Sequence, residues 1–271
     1  MDRTGLIATP RLAELTAIVR RVGDEVVLPR FMNVAHTRKA DGSVVTEVDL
    51  EAQEVLRREL AGISACPMLG EEMTQEEQCR HWEAGRAGLW CVDPVDGTSN
   101  FANGLKHFAI SVAYMREGRP VLGVVYAPAL GEMFTAEAGK GAYLNDRPLP
   151  IASPVDNLAE AIAGIDLKRL PATLAAHLAN DPPYHSQRNF GSGALDWCYV
   201  AAGRFDLYLH GGQYLWDYAA GSLILQEAGG AMSTLEDEDY WAGDVWRKSV
   251  IAASNDFLFG KWRARLLEMA H

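Results

Sequence analysis

The chain has 271 residues, 48% of them hydrophobic and 23% charged, with 25 Lys and Arg against 36 Asp and Glu for a formal charge of −11. That composition excludes a disordered chain, a collagen-like repeat and a simple coiled coil, and the length suits one large domain or two closely packed halves. An acidic chain repels a phosphate backbone and an anionic membrane surface, so neither nucleic acid nor membrane is an expected partner.

The first helix is expected from Thr9-Pro10, with Leu12, Leu15, Ile18, Val19, Val22 and Val26 at helical spacing and Pro29 closing the run. A polar loop over 32–45 follows, then a second helix from about Asp49 with Ala52, Val55, Leu56, Leu60 and Ile63 on one face. Leu89 to Val92, Phe108 to Met115, Val121 to Tyr126 and Glu132 to Ala136 read as strands. Their close spacing predicts an antiparallel sheet. After about Pro150, strands (161–165, 205–209, 249–253) alternate with helices (170–179, 194–202, 217–228), and a last helix runs to the C-terminus. The expectation is an α/β (α+β) chain with two stacked sheet layers and helices around them, divided into halves over 1–150 and 151–271.

The four cysteines, Cys66, Cys79, Cys91 and Cys198, form no C-x-x-C pair, which argues against a zinc site and a disulfide framework. No apolar run approaches the roughly 18 residues of a membrane helix. The first residues lack the layout of a secretory signal. A reduced, cytoplasmic protein is expected.

Four acidic segments stand out: Thr46-Glu47-Val48-Asp49, Gly70-Glu71-Glu72, Asp93-Pro94-Val95-Asp96-Gly97-Thr98 and Trp216-Asp217. Taken singly, each reads equally well as a turn or a helix cap. Taken together, each follows an apolar stretch or opens a helix, so all are placed to face one cleft. Clustered carboxylates relieve their repulsion by raising their pKa values or by binding cations. With no His or Cys among them they suit Mg²⁺, which completes its shell with water and substrate phosphate. Gly97 and Thr98, at an expected helix start, add backbone N–H groups suited to an anion. A Ca²⁺-binding structural protein fits less well, since no Asp-x-Asp-x-Asp-Gly run exists, and Glu236 to Asp239 read as a solvated loop.

From Lys39 to Gly229-Gly230, the chain resembles the inositol monophosphatase family of Mg²⁺-dependent, lithium-sensitive phosphatases. The resemblance rests on Gly70-Glu71-Glu72, Asp93-Pro94-Val95-Asp96-Gly97-Thr98 and Trp216-Asp217-x-x-Ala220-Gly221, in that order. It implies a layered αβαβα sandwich, commonly a homodimer, that hydrolyses a small phosphorylated polyol such as inositol 1-phosphate. It implies that Glu71, Asp93 and the Val95 carbonyl hold one Mg²⁺, that Asp93, Asp96 and Asp217 hold a second, and that Glu71 holds a third more weakly. Thr98, paired with Asp49, would help Glu71 orient and activate a water. Gly97 and Thr98 would donate N–H groups to the phosphate, and the Lys39 loop would close over the third ion.

Asp96 and Asp217 would also face the substrate, with Gly191, Ser192 and Gly193 as one wall. His210 stands where inositol-selective members carry a glutamate that binds sugar hydroxyls, which replaces a pure acceptor with a group that also donates. Histidinol phosphate, a nucleotide 3′-phosphate and fructose 1,6-bisphosphate are therefore alternative substrates. Ser99-Asn100-Phe101 is closer to the inositol branch than to the nucleotide branch. A catalytically idle binding module is the alternative from another class.

Overall fold

The computed structural model describes residues 9–33, 36–38, 44–149 and 155–270. Lys39 lies outside them. Helix α1 (Leu12–Val22) starts two residues later than the Thr9-Pro10 signal, with Arg11 at its N-cap. It does not run on as an α-helix to Pro29: a π turn over Gly23–Val27 and a 3₁₀ turn over Leu28–Arg30 follow. The change comes where the Tyr126 ring packs, since a Cβ on Gly23 would stand 2.6 Å from that ring, and the Tyr126 hydroxyl donates to Asp24 at 2.6 Å. Within the expected polar loop, β1 (His36–Arg38) pairs antiparallel with β2 (Val44–Thr46).

Helix α2 (Glu47–Ile63) opens on a capping box, in which Thr46 N–H donates to Asp49 Oδ2 at 2.9 Å and Val48 N–H to Thr46 Oγ1 at 3.2 Å. Two elements absent from the sequence reading follow: β3 (Met68–Gly70) and α3 (Gln75–Ala84). Helix α3 carries its own capping box, Thr74 with Glu77. Next come β4 (Leu89–Asp96), α4 (Thr98–Ala102), β5 (Ala109–Arg116), β6 (Arg119–Ala127), β7 (Glu132–Glu137) and the short β8 (Ala142–Leu144) and β9 (Arg147–Pro148). These strands form one seven-stranded sheet in sequence order from β3 to β9. It is not wholly antiparallel, because β3 runs parallel to β4.

The second sheet holds five strands in the order β11-β10-β12-β14-β13. They are β10 (Ile162–Asp166), β11 (Ser186–Arg188), β12 (Leu207–Tyr214), β13 (Ala231–Ser233) and β14 (Arg247–Ala253), with helices α5 (Ala172–Asn180), α6 (Gly193–Ala201), α7 (Leu215–Glu227) and α8 (Asp256–Ala270) between and after them.

Strand alternation sets the layers. In β4, Leu89 and Cys91 face a core shared with α6 and α7, whereas Trp90 and Val92 face one shared with α1 and α2. In β12, Tyr208 joins the α6/α7 core, whereas Leu207 and Leu209 join α5 and α8. The order is therefore α1/α2, sheet, α6/α7, sheet, α5/α8, the αβαβα sandwich that the resemblance implies. The middle helices are apolar nearly all round, as a layer between two sheets must be.

Candidate metal centre and active site

Strand β4 supplies two carboxylates from its C-terminal end. The β4–β5 register shifts between Asp93 and Asp96, where Pro94 cannot donate to the ladder. Asp93 Oδ1 accepts the Val95 N–H at 3.0 Å, which turns its side chain along its own strand. Gly97 then adopts φ +86° at the N-cap of α4, and a Cβ there would lie 2.9 Å from the His107 carbonyl oxygen. The third carboxylate, Asp217, sits in the first turn of α7 and accepts the Tyr214 N–H at 2.9 Å.

Carboxylate oxygens of Asp93, Asp96 and Asp217 lie within 4.8 Å of one another. Asp93 is 1% exposed, Asp96 is buried, and Asp217 keeps an opening to solvent. Burial pushes Asp93 well above the usual carboxylate range, and the charges of Glu71, Asp96, Asp217 and Asp49 push it further. Asp217 is raised in the same way by burial, Asp96 and Glu71, and is drawn down by Tyr214 N–H and Arg169. Glu71, just after β3, stands outside the 4.8 Å group, yet its charge bears on two of the three members.

Asp96 is held by the loop into α6. Ser192 Oγ donates to Asp96 Oδ2 at 2.5 Å and Ala194 N–H at 2.8 Å. The Gly193 N–H also favours its charged form, though burial still raises its pKa. Ser192 is 1% exposed, so its hydroxyl serves Asp96 from behind. Asn100 pins the same loop to α4, donating to the carbonyls of His107 and Phe190 at 2.6 Å each. A Cβ on Gly193 would stand 2.3 Å from Gln213 Nε2 and 3.8 Å from Asp217 Cβ, so the α6 and α7 starts abut.

Thr98 Oγ1 lies 3.1 Å from Asp49 Oδ1 and 2.9 Å from the Val95 carbonyl oxygen. Asp49 is fully buried, and burial raises its pKa against the hydrogen bonds from Thr46 and Thr98.

His210, in the middle of β12 at its register shift, accepts the Gly212 N–H at Nδ1 (3.1 Å), which leaves Nε2 as the protonated nitrogen of the neutral ring. Burial, with Arg169, Lys168 and Arg247 nearby, pulls its pKa down to about 4.

Sequence reasoning missed Gln213 and Asp196. Gln213 accepts from Trp197 Nε1 at 2.9 Å and donates to the Tyr208 hydroxyl at 2.8 Å, locking β12 to α6. Its only signal is its place four residues before Asp217. Asp196 is buried on α6, its Oδ1 has no hydrogen-bond partner among the described residues, and burial with Asp96 and Asp166 raises its pKa well above normal. A separate cleft of about 850 Å³, lined by α1 residues such as Leu12, Thr16 and Arg20 with Met133 and Tyr143, contains none of these carboxylates.

Residues 10–270 match the sequence pattern of the inositol monophosphatase family. The chain belongs to that family. An inositol-1-monophosphatase of Mesorhizobium japonicum is 37% identical over 209 residues, 75% of this chain and 77% of that protein. A Nus factor SuhB of Pasteurella multocida is 43% identical over 145 residues, 52% of this chain and 54% of that protein. Among solved structures, the Thermotoga maritima IMPase superposes with a TM-score of 0.82 at 30% identity, covering 96% of this chain and 98% of that one. A Staphylococcus aureus IMPase-II solved with bound inositol monophosphate gives 0.75 at 26% identity, covering 96% and 94%.

Members of the inositol monophosphatase family are metal-dependent phosphatases, typically with Mg²⁺. The donor set fits that ion. It is made of hard oxygens only, and its mutual repulsion in a buried place is what a divalent cation relieves.

Proposed function

We propose that the chain is a Mg²⁺-dependent phosphomonoesterase that hydrolyses a small phosphorylated polyol by attack of water, with inositol 1-phosphate the first ester to test. The observation that carries this reading is the convergence of Asp93, Asp96 and Asp217 in a chain that also pairs Thr98 with Asp49. Glu71, Asp93 and the Val95 carbonyl would hold one ion, Asp93, Asp96 and Asp217 a second, and Glu71 a third. When bound, Mg²⁺ activates water and offsets charge on the phosphate and leaving oxygens.

The protein's own groups supply the rest. Thr98 Oγ1, oriented by Asp49 Oδ1, positions the attacking water with Glu71, whose carboxylate takes the proton. The N–H groups of Gly97 and Thr98, at a helix start with no intrahelical acceptor, face the phosphate oxygens. Gly191, Ser192, Gly193 and His210 wall the alcohol side. A thiol nucleophile is disfavoured: Cys91 and Cys198 are buried, and burial pushes both well above the usual thiol range. The net charge of −11 likewise disfavours binding a nucleic-acid backbone.

The test is phosphate release from inositol 1-phosphate and p-nitrophenyl phosphate with Mg²⁺. Loss of release in EDTA and its return with Mg²⁺ are the expected results, and lithium should inhibit. No release from any ester would leave the idle binding module as the better reading.

A further inference from the structure

The bulged middle of β12, which carries His210, has basic surroundings in a chain that is otherwise strongly acidic. Asp166 and His210 are register partners on β10 and β12. Around them stand Lys168, Arg169 and Arg247, all of which bear on the His210 ring. Asp166 is their one carboxylate neighbour in the ion-pair geometry, and it lies 3.9 Å from each of Lys168 Nζ, Arg169 Nε and His210 Nε2. That separation is too long for a hydrogen bond, so the donors of all three remain available. No hydrogen bond among the described residues engages the Arg169 or Arg247 guanidinium, and both side chains are on exposed residues.

Two glycines bring these groups in. The β12–β14 register shifts between His210 and Gln213. A Cβ on Gly211 would fall 1.8 Å from the Arg169 carbonyl oxygen, and one on Gly212 would fall 2.7 Å from Arg247 Nε. A larger residue at Gly211 would displace the Arg169 backbone, and one at Gly212 the Arg247 guanidinium. The cluster also reaches the carboxylates: Arg169 draws down the Asp217 pKa, and Arg247 is the register partner of Tyr214, whose N–H holds Asp217.

We propose that Arg169 and Arg247, with the Nε2–H of His210, form an anion subsite beside the carboxylate centre, so that the preferred ester carries a second anionic group beyond the scissile phosphate. This rests on the phosphomonoesterase reading and narrows its substrate class. Guanidinium groups suit either a carboxylate or a second phosphate, since both present paired oxygens to their N–H forks. A neutral polyol would leave the Arg169 and Arg247 guanidinium groups without a hydrogen-bond acceptor among the described residues.

Matched esters separate the possibilities: glycerol 2-phosphate against 2-phosphoglycerate for a carboxylate, and fructose 1-phosphate against fructose 1,6-bisphosphate for a phosphate. At low ionic strength with Mg²⁺, the wild type should favour the anionic member of at least one pair by about tenfold in kcat/KM, expressed mainly in KM. The double variant Arg169→Gln, Arg247→Gln should collapse that ratio towards one. Sulfate binding to the EDTA-treated protein, followed by calorimetry, should weaken in the same variant. Equal use of both members by the wild type, or a ratio or sulfate affinity that the double variant leaves unchanged, overturns the subsite while phosphatase activity stands. Failure to hydrolyse any ester, p-nitrophenyl phosphate included, overturns the phosphatase reading and the subsite with it.

Discussion

Thr98 Oγ1 lies 3.1 Å from Asp49 Oδ1, joining the first turn of α2 to the start of α4 across 49 residues. The same hydroxyl lies 2.9 Å from the Val95 carbonyl, and it has one proton to share between the two acceptors. Asp49 meanwhile closes the α2 capping box through its other oxygen. One buried carboxylate thus fixes both a helix start and the rotamer of the hydroxyl proposed to guide water.

That double duty separates two substitutions. Thr98→Ala should lower kcat about 10²-fold and cost about 1 kcal/mol of stability, because it removes the positioning hydroxyl and one donor to buried Asp49 but no cap. Thr98→Ser should restore most of the rate. Asp49→Ala should lower the rate and also destabilise by about 2 kcal/mol, since it strips the cap and leaves Thr46 N–H without its acceptor. Steady-state kinetics beside urea unfolding checks the split. A Thr98→Ala protein with wild-type kcat would remove the hydroxyl from the reaction.

The three converging carboxylates predict opposite effects on stability and function. Asp93→Asn removes one of several like charges from a buried group. In EDTA at pH 8 the variant should melt above the wild type. With millimolar Mg²⁺, the wild type should gain stability and the variant far less, and turnover of the variant should fall by about 10³-fold or more. Calorimetric melting with and without Mg²⁺ reads both. A variant that keeps the full Mg²⁺ shift would show that Asp93 is not a ligand.

The same crowding sets a pH dependence. Asp49, Asp93, Asp96, Asp196 and Asp217 are all raised in the folded state, burial being the first cause in each. A carboxyl raised on folding holds its proton more tightly there than in the unfolded chain. Its stabilisation is complete below the unfolded value of about 4 and is lost as pH rises through the folded value. The EDTA-treated protein should therefore lose melting temperature as pH rises from about 4 towards and past neutrality. Mg²⁺ should flatten that decline, because the ion binds the deprotonated ligands. A metal-free melting temperature that rises across this range would contradict the raised values.

Much of this was legible in the sequence because the ligands sit at element ends that apolar runs announce. Asp93 and Asp96 follow Leu89 to Val92, and Asp217 opens a helix that Gly229-Gly230 closes. The sorting of Leu89 from Trp90 into different cores was not legible, since Leu89 to Val92 is a continuous apolar run and only the strand's geometry divides it between two faces. The short strands β3, β8, β9, β11 and β13 were not, since two or three residues carry no period and depend on the neighbouring strand for their hydrogen bonds. Helix α3 hid for another reason: it is a polar surface helix whose one readable mark was Thr74 with Glu77. Ser192 was placed on the substrate wall from its motif, and only geometry reveals that its hydroxyl is spent on Asp96. Contacts such as Gln213 with Trp197 and Tyr208 link elements whose approach no local pattern encodes.

Gly97 ties backbone geometry to activity. Its φ of +86° and the 2.9 Å approach of a Cβ to the His107 carbonyl make Gly97→Ala costly on both counts. A left-handed conformation alone costs about 1–2 kcal/mol for a residue with a Cβ. The strain falls between Asp96 and Thr98, so kcat should drop along with stability, and added Mg²⁺ should not rescue it. Gly131→Ala serves as the control: it also has positive φ, but a Cβ there meets nothing within 4 Å and the site is remote in sequence. It should cost similar backbone strain with kcat retained.

His210 should carry no charge in the working pH range. A folded pKa of about 4 leaves the ring neutral above about pH 5, so the acid limb of the pH–rate profile should not contain a group near 6.5 that His210→Gln removes. The sign for stability is the reverse of the carboxylates: the unfolded imidazole takes a proton that the folded one refuses, so His210 destabilises the fold as pH falls from about 6.5 towards 4. His210→Glu introduces an acceptor where the ring donates through Nε2, beside Asp166 and within reach of Arg169 and Arg247. The new carboxylate should pair with those arginines, withdraw them from any anionic substrate group, and offer oxygens to sugar hydroxyls instead. Selectivity should therefore move towards inositol 1-phosphate and away from fructose 1,6-bisphosphate, read as the ratio of kcat/KM values. An unchanged ratio would mean that the bulge of β12 at His210 does not contact the alcohol portion of the ester.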